Sequence, residues 1–168
     1  DSALNLCSLG YLSLDQRCVA ENLYFGICRK IQKLGTELDF VPEELEGLDA
    51  MLSDTYFCNF SLFQSMPDSW AIKQLFPIMP IHRLDEEPTV RATLADLTCD
   101  SDGAINDFID REDIKHVLEV HDVKDTEPYV MGMFLNGAYQ EILGDLHNLF
   151  GDTNTVHVRL TDHGYRVS

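Results

Sequence analysis

The spacing of apolar residues predicts a long amphipathic helix over residues 13–35. Apolar side chains recur there every three or four positions, as they do along one face of a helix. They are Val19, Leu23, Ile27, Ile31 and Leu34. Ser13 and Gln16 have the spacing of a capping box, and Gly35 can end the helix. Because the apolar face needs a partner, the pattern favours a bundle.

A shorter helix is predicted to follow, with Pro42 in its first turn. Glu43 and Glu44 would lie near its positive end, where acidic side chains are stabilising. Its inward face would carry Leu45, Leu48, Met51 and Leu52. We therefore predict a helical, bundle-like segment over residues 1–54.

After residue 54 the pattern changes to short β-prone runs, which predict a mostly antiparallel sheet assembly. The runs are 55–63, 78–84, 90–98, 116–123, 129–135 and 155–160. A hairpin turn is predicted at 161–164. The fold class is α+β: a helical segment at 1–54, then a β-sandwich or barrel domain with short helices at 55–168.

Two helices are predicted inside the β domain. Asp68 is expected to cap the first, with Trp70, Leu75 and Phe76 in the core. The second is predicted from about Gly137 to Phe150, ending at Gly151. Its buried face would carry Ile142, Leu143, Leu146 and Phe150.

Charge and cysteine content narrow the function classes. The 168 residues include 12 basic and 29 acidic side chains, a net charge of -17, which argues against nucleic acid as a partner. A cationic ligand is easier to accommodate, although a solvated surface is the plainer explanation. No apolar run approaches the roughly 20 residues of a membrane helix. Five cysteines without a C-x-x-C pair favour a reducing cytoplasm over disulfides or zinc.

The densest polar cluster follows the predicted strand 90–98. It comprises Thr98, Cys99, Asp100, Ser101, Asp102 and Gly103. Strand ends commonly present reactive side chains. A calcium loop would need acids at positions 98 and 109, where the chain has Thr98 and Ile109. On these six residues alone, a turn in which the aspartates accept local N–H groups is favoured.

A second candidate site begins at Gly137, where a helix is predicted to start. Free N–H groups at such a start attract anions such as phosphate, and the Tyr139 hydroxyl could add a hydrogen bond. A packed aromatic is the plainer explanation of Tyr139. The six histidines are dispersed and no H-E-x-x-H motif occurs, so no metal site is predicted. The G-x-S-x-G motif of serine nucleophiles does not occur either.

Two long stretches together resemble bacterial biosynthetic arginine decarboxylases. They are FSLFQSMPDSWAIKQLFPIMPIHRLDEEPTVRATLADLTCDSDG at 60–103 and MGMFLNGAYQEILGDLHNLFGD at 131–152. The resemblance covers most of residues 55–160, and the first 50 residues fit the helical segment that this family inserts before its C-terminal β domain. It implies the C-terminal portion of a pyridoxal-phosphate enzyme that converts L-arginine to agmatine and CO2.

The resemblance also implies how the active site is assembled. Such enzymes pair a cofactor-binding barrel with a β domain, and two subunits build each site in a dimer-based homo-oligomer. Cys99 and Asp100 match a pair that reaches into the partner's site. Cys99 would handle the proton at the substrate α-carbon, and Asp100, helped by Asp102, would meet the guanidinium. Tyr139 matches the tyrosine that contacts the cofactor phosphate in its own subunit.

Two further expectations concern what the sequence lacks. The barrel with its Schiff-base lysine is not recognised in these residues, and family members are often described as magnesium-dependent although no magnesium site is evident. The alternative is a stand-alone, non-catalytic module that docks on a decarboxylase and regulates it, or an acidic dimerisation domain.

The isolated chain is expected not to decarboxylate arginine, because no lysine here lies in a Schiff-base context. The lysines are Lys30, Lys33, Lys73, Lys115 and Lys124. Pyridoxal phosphate and borohydride, followed by mass spectrometry of the peptides, test this expectation. Specific, stoichiometric labelling of one lysine would contradict it.

Overall fold

A computed structural model describes residues 2–35, 42, 45 and 47–168. The chain divides into two compact units, Asp1–Asp54 and Thr55–Ser168. The first contains helices, and the second contains antiparallel strand pairs with short helices. The predicted α+β class is confirmed. No helix of the described ranges combines the length and apolarity needed to cross a bilayer.

The helices of the first unit are α1 (Ser2–Ser8), α2 (Leu14–Gly35) and α3 (Leu48–Leu52). The capping box of α2 is confirmed: the Ser13 amide donates to Gln16 Oε1 at 2.9 Å, and the Gln16 amide donates to Ser13 Oγ at 3.3 Å. Helix α1 was not predicted. Of the shorter predicted helix, Glu43 and Glu44 lie outside the described residues, and α3 forms its last part.

The apolar face of α2 is exposed within the first unit. Val19, Leu23, Ile27, Ile31 and Leu34 are all exposed, and Cys28 is the buried residue of the helix. Met51 is also exposed, contrary to its predicted inward position, and its Sδ accepts the Tyr24 hydroxyl at 3.4 Å. The unit therefore buries little of the stripe that defines its longest helix.

The second unit contains ten strands and three helices along the described chain. The strands are β1 (Asp54–Phe57), β2 (Ile78–Pro80), β3 (Val90–Ala95), β4 (Ala104–Ile105), β5 (Phe108–Ile109), β6 (Ile114–Lys115), β7 (Leu118–Val120), β8 (Met131–Met133), β9 (Val158–Thr161) and β10 (Gly164–Val167). The helices are α4 (Leu62–Ser65), α5 (Pro67–Ala71) and α6 (Ala138–Leu143). Most predicted β-prone runs thus contain a strand that is shorter than the run.

Strand β3 is the centre of the largest sheet. It pairs with β1, and along β3 both β4 and β7 pair antiparallel, β7 with Val90–Ala92 and β4 with Leu94 and Ala95. The pairs β2 with β8, β5 with β6 and β9 with β10 form smaller antiparallel sheets. Side chains alternate along β3, so that Ala92 and Leu94 are buried. They join one apolar core with Phe60, Leu62, Met66, Phe76, Ile105, Phe108, Leu118 and Val120.

The predicted strand 55–63 is wrong in its second half, where α4 forms. Ser61 caps that helix by accepting the Gln64 amide at 3.3 Å, and the Leu62 amide donates to the distant Asp96 carboxylate at 2.8 Å. Asp68 does not cap α5, because Pro67 occupies its first turn and Met66 is the cap residue. Trp70, predicted in the core, is exposed, while Phe76 is buried as predicted.

The predicted helix 137–150 ends at Leu143. At Gly144 the backbone approaches the Gln64 carbonyl so closely that an added Cβ would lie 1.9 Å from it. The predicted buried face is also wrong: Ile142, Leu143, Leu146 and Phe150 are all exposed. Gln140 is buried instead, because its side chain accepts the Asp68 amide at 3.1 Å and donates to the Asp68 carboxylate at 2.6 Å.

The β9–β10 hairpin forms at the predicted turn and has two different faces. Val158 pairs with Val167, and Leu160 pairs with Tyr165. Opposed residues of an antiparallel pair share a face, so these four side chains form one apolar row. All four are exposed. Arg159 opposes Arg166 on the other face.

Phe108→Ala is expected to destabilise the second unit by about 3–5 kcal/mol, because a buried aromatic ring leaves a cavity. Phe108 is 1% exposed, whereas its neighbour Ile109 is 46% exposed. Ile109→Ala, the matched control, is expected to change stability by less than about 0.5 kcal/mol. Urea denaturation followed by Trp70 fluorescence measures both, and equal losses would place Phe108 outside the core.

Candidate functional site

The polar cluster 98–103 lies in the connection between β3 and β4. The Asp96 amide donates to the Gly103 carbonyl at 2.7 Å, which closes the connection. Inside it, the Gly103 amide donates to the Asp100 carbonyl at 3.2 Å, and the Ala104 amide donates to the Asp102 carbonyl at 2.8 Å. The backbone from Asp96 to Ala104 is thus held by its own hydrogen bonds; we call residues 98–103 the polar turn.

The side chain of Asp100 takes part in the polar turn as well. Its Oδ1 accepts the Asp102 amide at 3.0 Å, so the local aspartate turn expected from the sequence is present. A carboxylate has several acceptor positions on its two oxygens. This turn therefore leaves Asp100 with acceptor capacity for a further donor.

Cys99, Asp100 and Asp102 are all exposed. The polar turn thus presents a thiol and two carboxylates to a binding partner. Asp102 Oδ2 lies 3.5 Å from the Trp70 indole nitrogen, at the long limit of a hydrogen bond. A pair of exposed carboxylates at one bend suits a cation with several N–H donors.

An aromatic group borders the polar turn on the side of α5. The Phe63 ring lies 5.2 Å from the Trp70 ring, edge to face, and 4.8 Å from the His147 ring. Trp70 was predicted to lie in the core, and no role was predicted for any of the six histidines. The contact between the Trp70 indole and the polar turn could not be predicted from a single sequence, because it depends on how α5 packs next to the turn.

Asp96 is the buried group behind the polar turn, and it was not among the site residues predicted from the sequence. It is 6% exposed. Its position carries a signal, because Asp96 continues the alternation of Ala92 and Leu94, where an apolar residue is expected. An acid at a buried strand position needs hydrogen-bond partners, and this requirement points to a structural or functional task.

Tyr139 lies elsewhere in the second unit, in the first turn of α6. Its side chain is 76% exposed, so it is not the packed aromatic that the plainer reading favoured. Among the residues described, no hydrogen bond or ring contact joins Tyr139 to Cys99, Asp100 or Asp102. The structure thus brings three of the four predicted site residues together and leaves Tyr139 outside that group.

Cys99 is exposed, whereas Cys58, whose amide donates to the Ala95 carbonyl of β3 at 2.8 Å, is only partly exposed. All five cysteines are free. Burial raises the pKa of the Cys58 thiol, which favours its protonated form. Cys58 donates to the Tyr56 carbonyl at 3.7 Å and packs against the core. Cys99 is therefore the more accessible of the two thiols.

A cleft of about 340 Å³ lies apart from the predicted site residues. His82, Arg83, Asp122, Lys124, Glu127, Pro128 and Tyr129 line it. Arg83 is engaged by Glu86 at 2.6 Å, and the hydrogen bond from Arg83 lowers the pKa of Glu86. Within the described part of the chain, no three His, Cys, Asp or Glu side chains are grouped to hold a metal ion.

Comparison with known proteins gives the same family over both units. The family described as the arginine decarboxylase helical bundle domain matches residues 1–49. The biosynthetic arginine decarboxylase of Gloeobacter violaceus is 67% identical over 95% of this chain and 25% of its own length. Those of Thermosynechococcus vestitus and Bacteroides thetaiotaomicron are 59% and 56% identical over 98% and 99% of this chain, and 26% of their own lengths.

The chain corresponds to one segment of the biosynthetic arginine decarboxylases. The crystal structure of biosynthetic arginine decarboxylase SpeA from Campylobacter jejuni matches with a TM-score of 0.72 and 42% identity, over 99% of this chain and 25% of that one. The resemblance found in the sequence is confirmed. The chain spans about a quarter of the length of the biosynthetic arginine decarboxylases that it matches.

Gly103→Ala is expected to distort the polar turn. An added Cβ at Gly103 would lie 2.0 Å from Asp96 Oδ1, so the buried carboxylate would have to move. We expect a loss of about 1–3 kcal/mol in unfolding free energy, as for other overpacked sites.

Gly26→Ala is the matched control for Gly103→Ala. It lies inside α2 with no atom within 4 Å of the added Cβ. It is expected to stabilise the helix by roughly 0.5–1 kcal/mol. Urea denaturation compares the unfolding free energies of the two variants. A Gly103→Ala variant as stable as the parent would show that the Asp96 carboxylate can move aside without loss of stability.

Proposed function

We propose that this chain contributes the substrate-facing turn of a pyridoxal-phosphate-dependent arginine decarboxylase. The parent protein would convert L-arginine to agmatine and CO2, which feeds putrescine and spermidine synthesis. The observation that carries the proposal is the polar turn, where the exposed Cys99 and Asp100 lie side by side in a chain similar to biosynthetic arginine decarboxylases. The regulatory alternative has no separate observation in its favour.

The carboxylate of Asp100 is proposed to bind the guanidinium of arginine. A guanidinium is planar and carries forked N–H donors that match carboxylate oxygens. The local turn uses Asp100 Oδ1 for the Asp102 amide and leaves acceptor capacity on Oδ2. Asp102 is proposed to add a second carboxylate near the same cation, which suits a ligand with five donors.

The thiol of Cys99 is proposed to hold the proton that the substrate α-carbon receives after CO2 leaves. A group that returns a proton must reach the reacting carbon. Cys99 is exposed next to Asp100, which would bind the guanidinium of the substrate. One turn would therefore contact both the guanidinium and the α-carbon. Its accessible thiol supports this role better than the buried Cys58.

The residues present fit part of the pyridoxal phosphate site. When bound, the cofactor supplies the electron sink for decarboxylation. The exposed Tyr139 hydroxyl can donate a hydrogen bond to its phosphate. The Schiff-base lysine would come from the rest of the parent enzyme, since no lysine of this chain has that context. We assign no magnesium ligand to the described residues.

The parent enzyme is proposed to be a dimer-based homo-oligomer of the cytoplasm. The polar turn would enter the partner subunit's site, whereas Tyr139 would serve its own subunit. Five free cysteines suit a reducing compartment.

Mixing two defective subunits of the full-length enzyme tests the division. Cys99→Ala subunits keep the barrel lysine, and lysine-deficient subunits keep the intact turn. If the turn acts across the interface, each mixed dimer regains one complete site, and random pairing restores about a quarter of parental arginine decarboxylation. Asp100→Ala subunits are expected to behave in the same way.

Tyr139→Phe is the matched control in this experiment. Tyr139 is proposed to act within its own subunit, so its variant should gain nothing from a lysine-deficient partner. Activity restored for Tyr139→Phe but not for Cys99→Ala would reverse the assignment. Unchanged kcat and KM in Cys99→Ala and Asp100→Ala homo-oligomers would remove the proposed roles altogether.

A further inference from the structure

Asp96 contacts both ends of the polar turn and the start of α4. Its Oδ1 accepts the Thr98 hydroxyl at 2.7 Å, and its Oδ2 accepts the Leu62 amide at 2.8 Å. Its amide donates to the Gly103 carbonyl at 2.7 Å. One buried residue therefore links Leu62, Thr98 and Gly103.

Thr98 extends this link into the polar turn. Its Oγ1 lies 3.2 Å from the Asp100 carbonyl as well as 2.7 Å from the carboxylate of Asp96. Because Cys99 lies between Thr98 and Asp100, the hydroxyl, whose single proton faces both acceptors, links Asp96 to the backbone beyond the thiol. The exposed Cys99 and Asp100 are thus held in place by the buried Asp96, both of whose carboxylate oxygens accept hydrogen bonds.

Gly103 completes the enclosure from the far end of the turn. The space that its Cβ would occupy is filled by Asp96, whose Oδ1, Cγ and Oδ2 would lie 2.0, 2.4 and 2.6 Å away. The carboxylate is therefore fixed by packing as well as by hydrogen bonds. Groups held in this way lose little conformational freedom when a ligand binds, and preorganisation of this kind speeds reactions.

We infer that Asp96 is a positioning residue for the arginine decarboxylase reaction, acting through Thr98 to fix Cys99 and Asp100. The inference rests on the proposed function of the polar turn. Asp96 is 6% exposed, so it is assigned no direct contact with substrate or cofactor. A purely structural role would instead hold α4 against β3 through Leu62 and leave the turn chemistry unaffected.

Thr98→Val separates the two roles in the full-length enzyme loaded with pyridoxal phosphate. Valine keeps the shape and removes the hydroxyl, while the bond between Asp96 and Leu62 stays. We expect kcat/KM for L-arginine to fall on the order of tenfold to a hundredfold, since small misplacements of reacting groups are costly. Thr98→Ser, which keeps the hydroxyl, should restore kcat/KM. Thr155→Val, whose hydroxyl makes only a 3.4 Å local contact, is the matched control.

Asp96→Ala and Asp96→Asn extend the test. Alanine removes both acceptors, whereas asparagine keeps one for the Leu62 amide and can donate its amide to the Thr98 oxygen. The expected order of kcat/KM is parent, then Asn, then Ala. If Asp96→Ala does not fold, Thr98→Val still decides, because Asp96 Oδ2 keeps its bond from the Leu62 amide.

Mixing with lysine-deficient subunits distinguishes a defect of the turn from a defect in folding. The measured quantity is the arginine decarboxylation that the mixture regains. A Thr98→Val subunit whose only fault is its turn should be rescued as fully as Cys99→Ala, because the working site then uses the partner's intact turn. Rescue of Cys99→Ala without rescue of Thr98→Val would overturn the inference and leave the proposed function standing. Parental kcat/KM in Thr98→Val would overturn it as well. Failure of Cys99→Ala itself to be rescued would count against the proposed function.

Discussion

The buried carboxylate of Asp96 joins parts of the chain that are far apart in sequence. It accepts the amide that opens α4, contacts a hydroxyl at the end of β3 and abuts the glycine before β4. Burying a charged group is unfavourable unless its oxygens are partnered, so each of these contacts lowers the free-energy cost of burying Asp96. The end of the central strand, the short helix and the polar turn therefore depend on one another.

This dependence separates the two kinds of polar residue at the site. Cys99, Asp100 and Asp102 are exposed and keep capacity for a ligand, whereas Asp96 is buried and has its oxygens occupied. Enzymes commonly combine reactive side chains on loops with a rigid support beneath them. The β3–β4 connection contains both the exposed side chains and the buried Asp96 within eight residues, 96–103.

Local patterns predicted the elements whose causes are local. The capping box at Ser13 and the hairpin turn at 161–164 are seen as expected, because each depends on neighbours in the chain. The two main errors arose from distant contacts. The second half of the run 55–63 forms α4, whose first amide, at Leu62, donates to Asp96. The predicted helix 137–150 ends early, where the backbone at Gly144 packs closely against the Gln64 carbonyl. Likewise the polar turn was found from its composition, whereas the contact of Trp70 with this turn depends on a tertiary neighbour. Asp96 does carry a signal in the alternation along β3, but its partner Leu62 is distant in sequence.

The hairpin of β9 and β10 has a consequence for the colloidal behaviour of the chain. Its row of four exposed apolar side chains, and the similar row on α2, are apolar surfaces of the kind that favours association between molecules. The net charge of -17 opposes such encounters through mutual repulsion. Salt shortens the reach of that repulsion to about 10 Å at 0.1 M, and leaves the apolar attraction intact. Added salt is therefore expected to favour self-association of this chain, because it screens the repulsion between its negative charges.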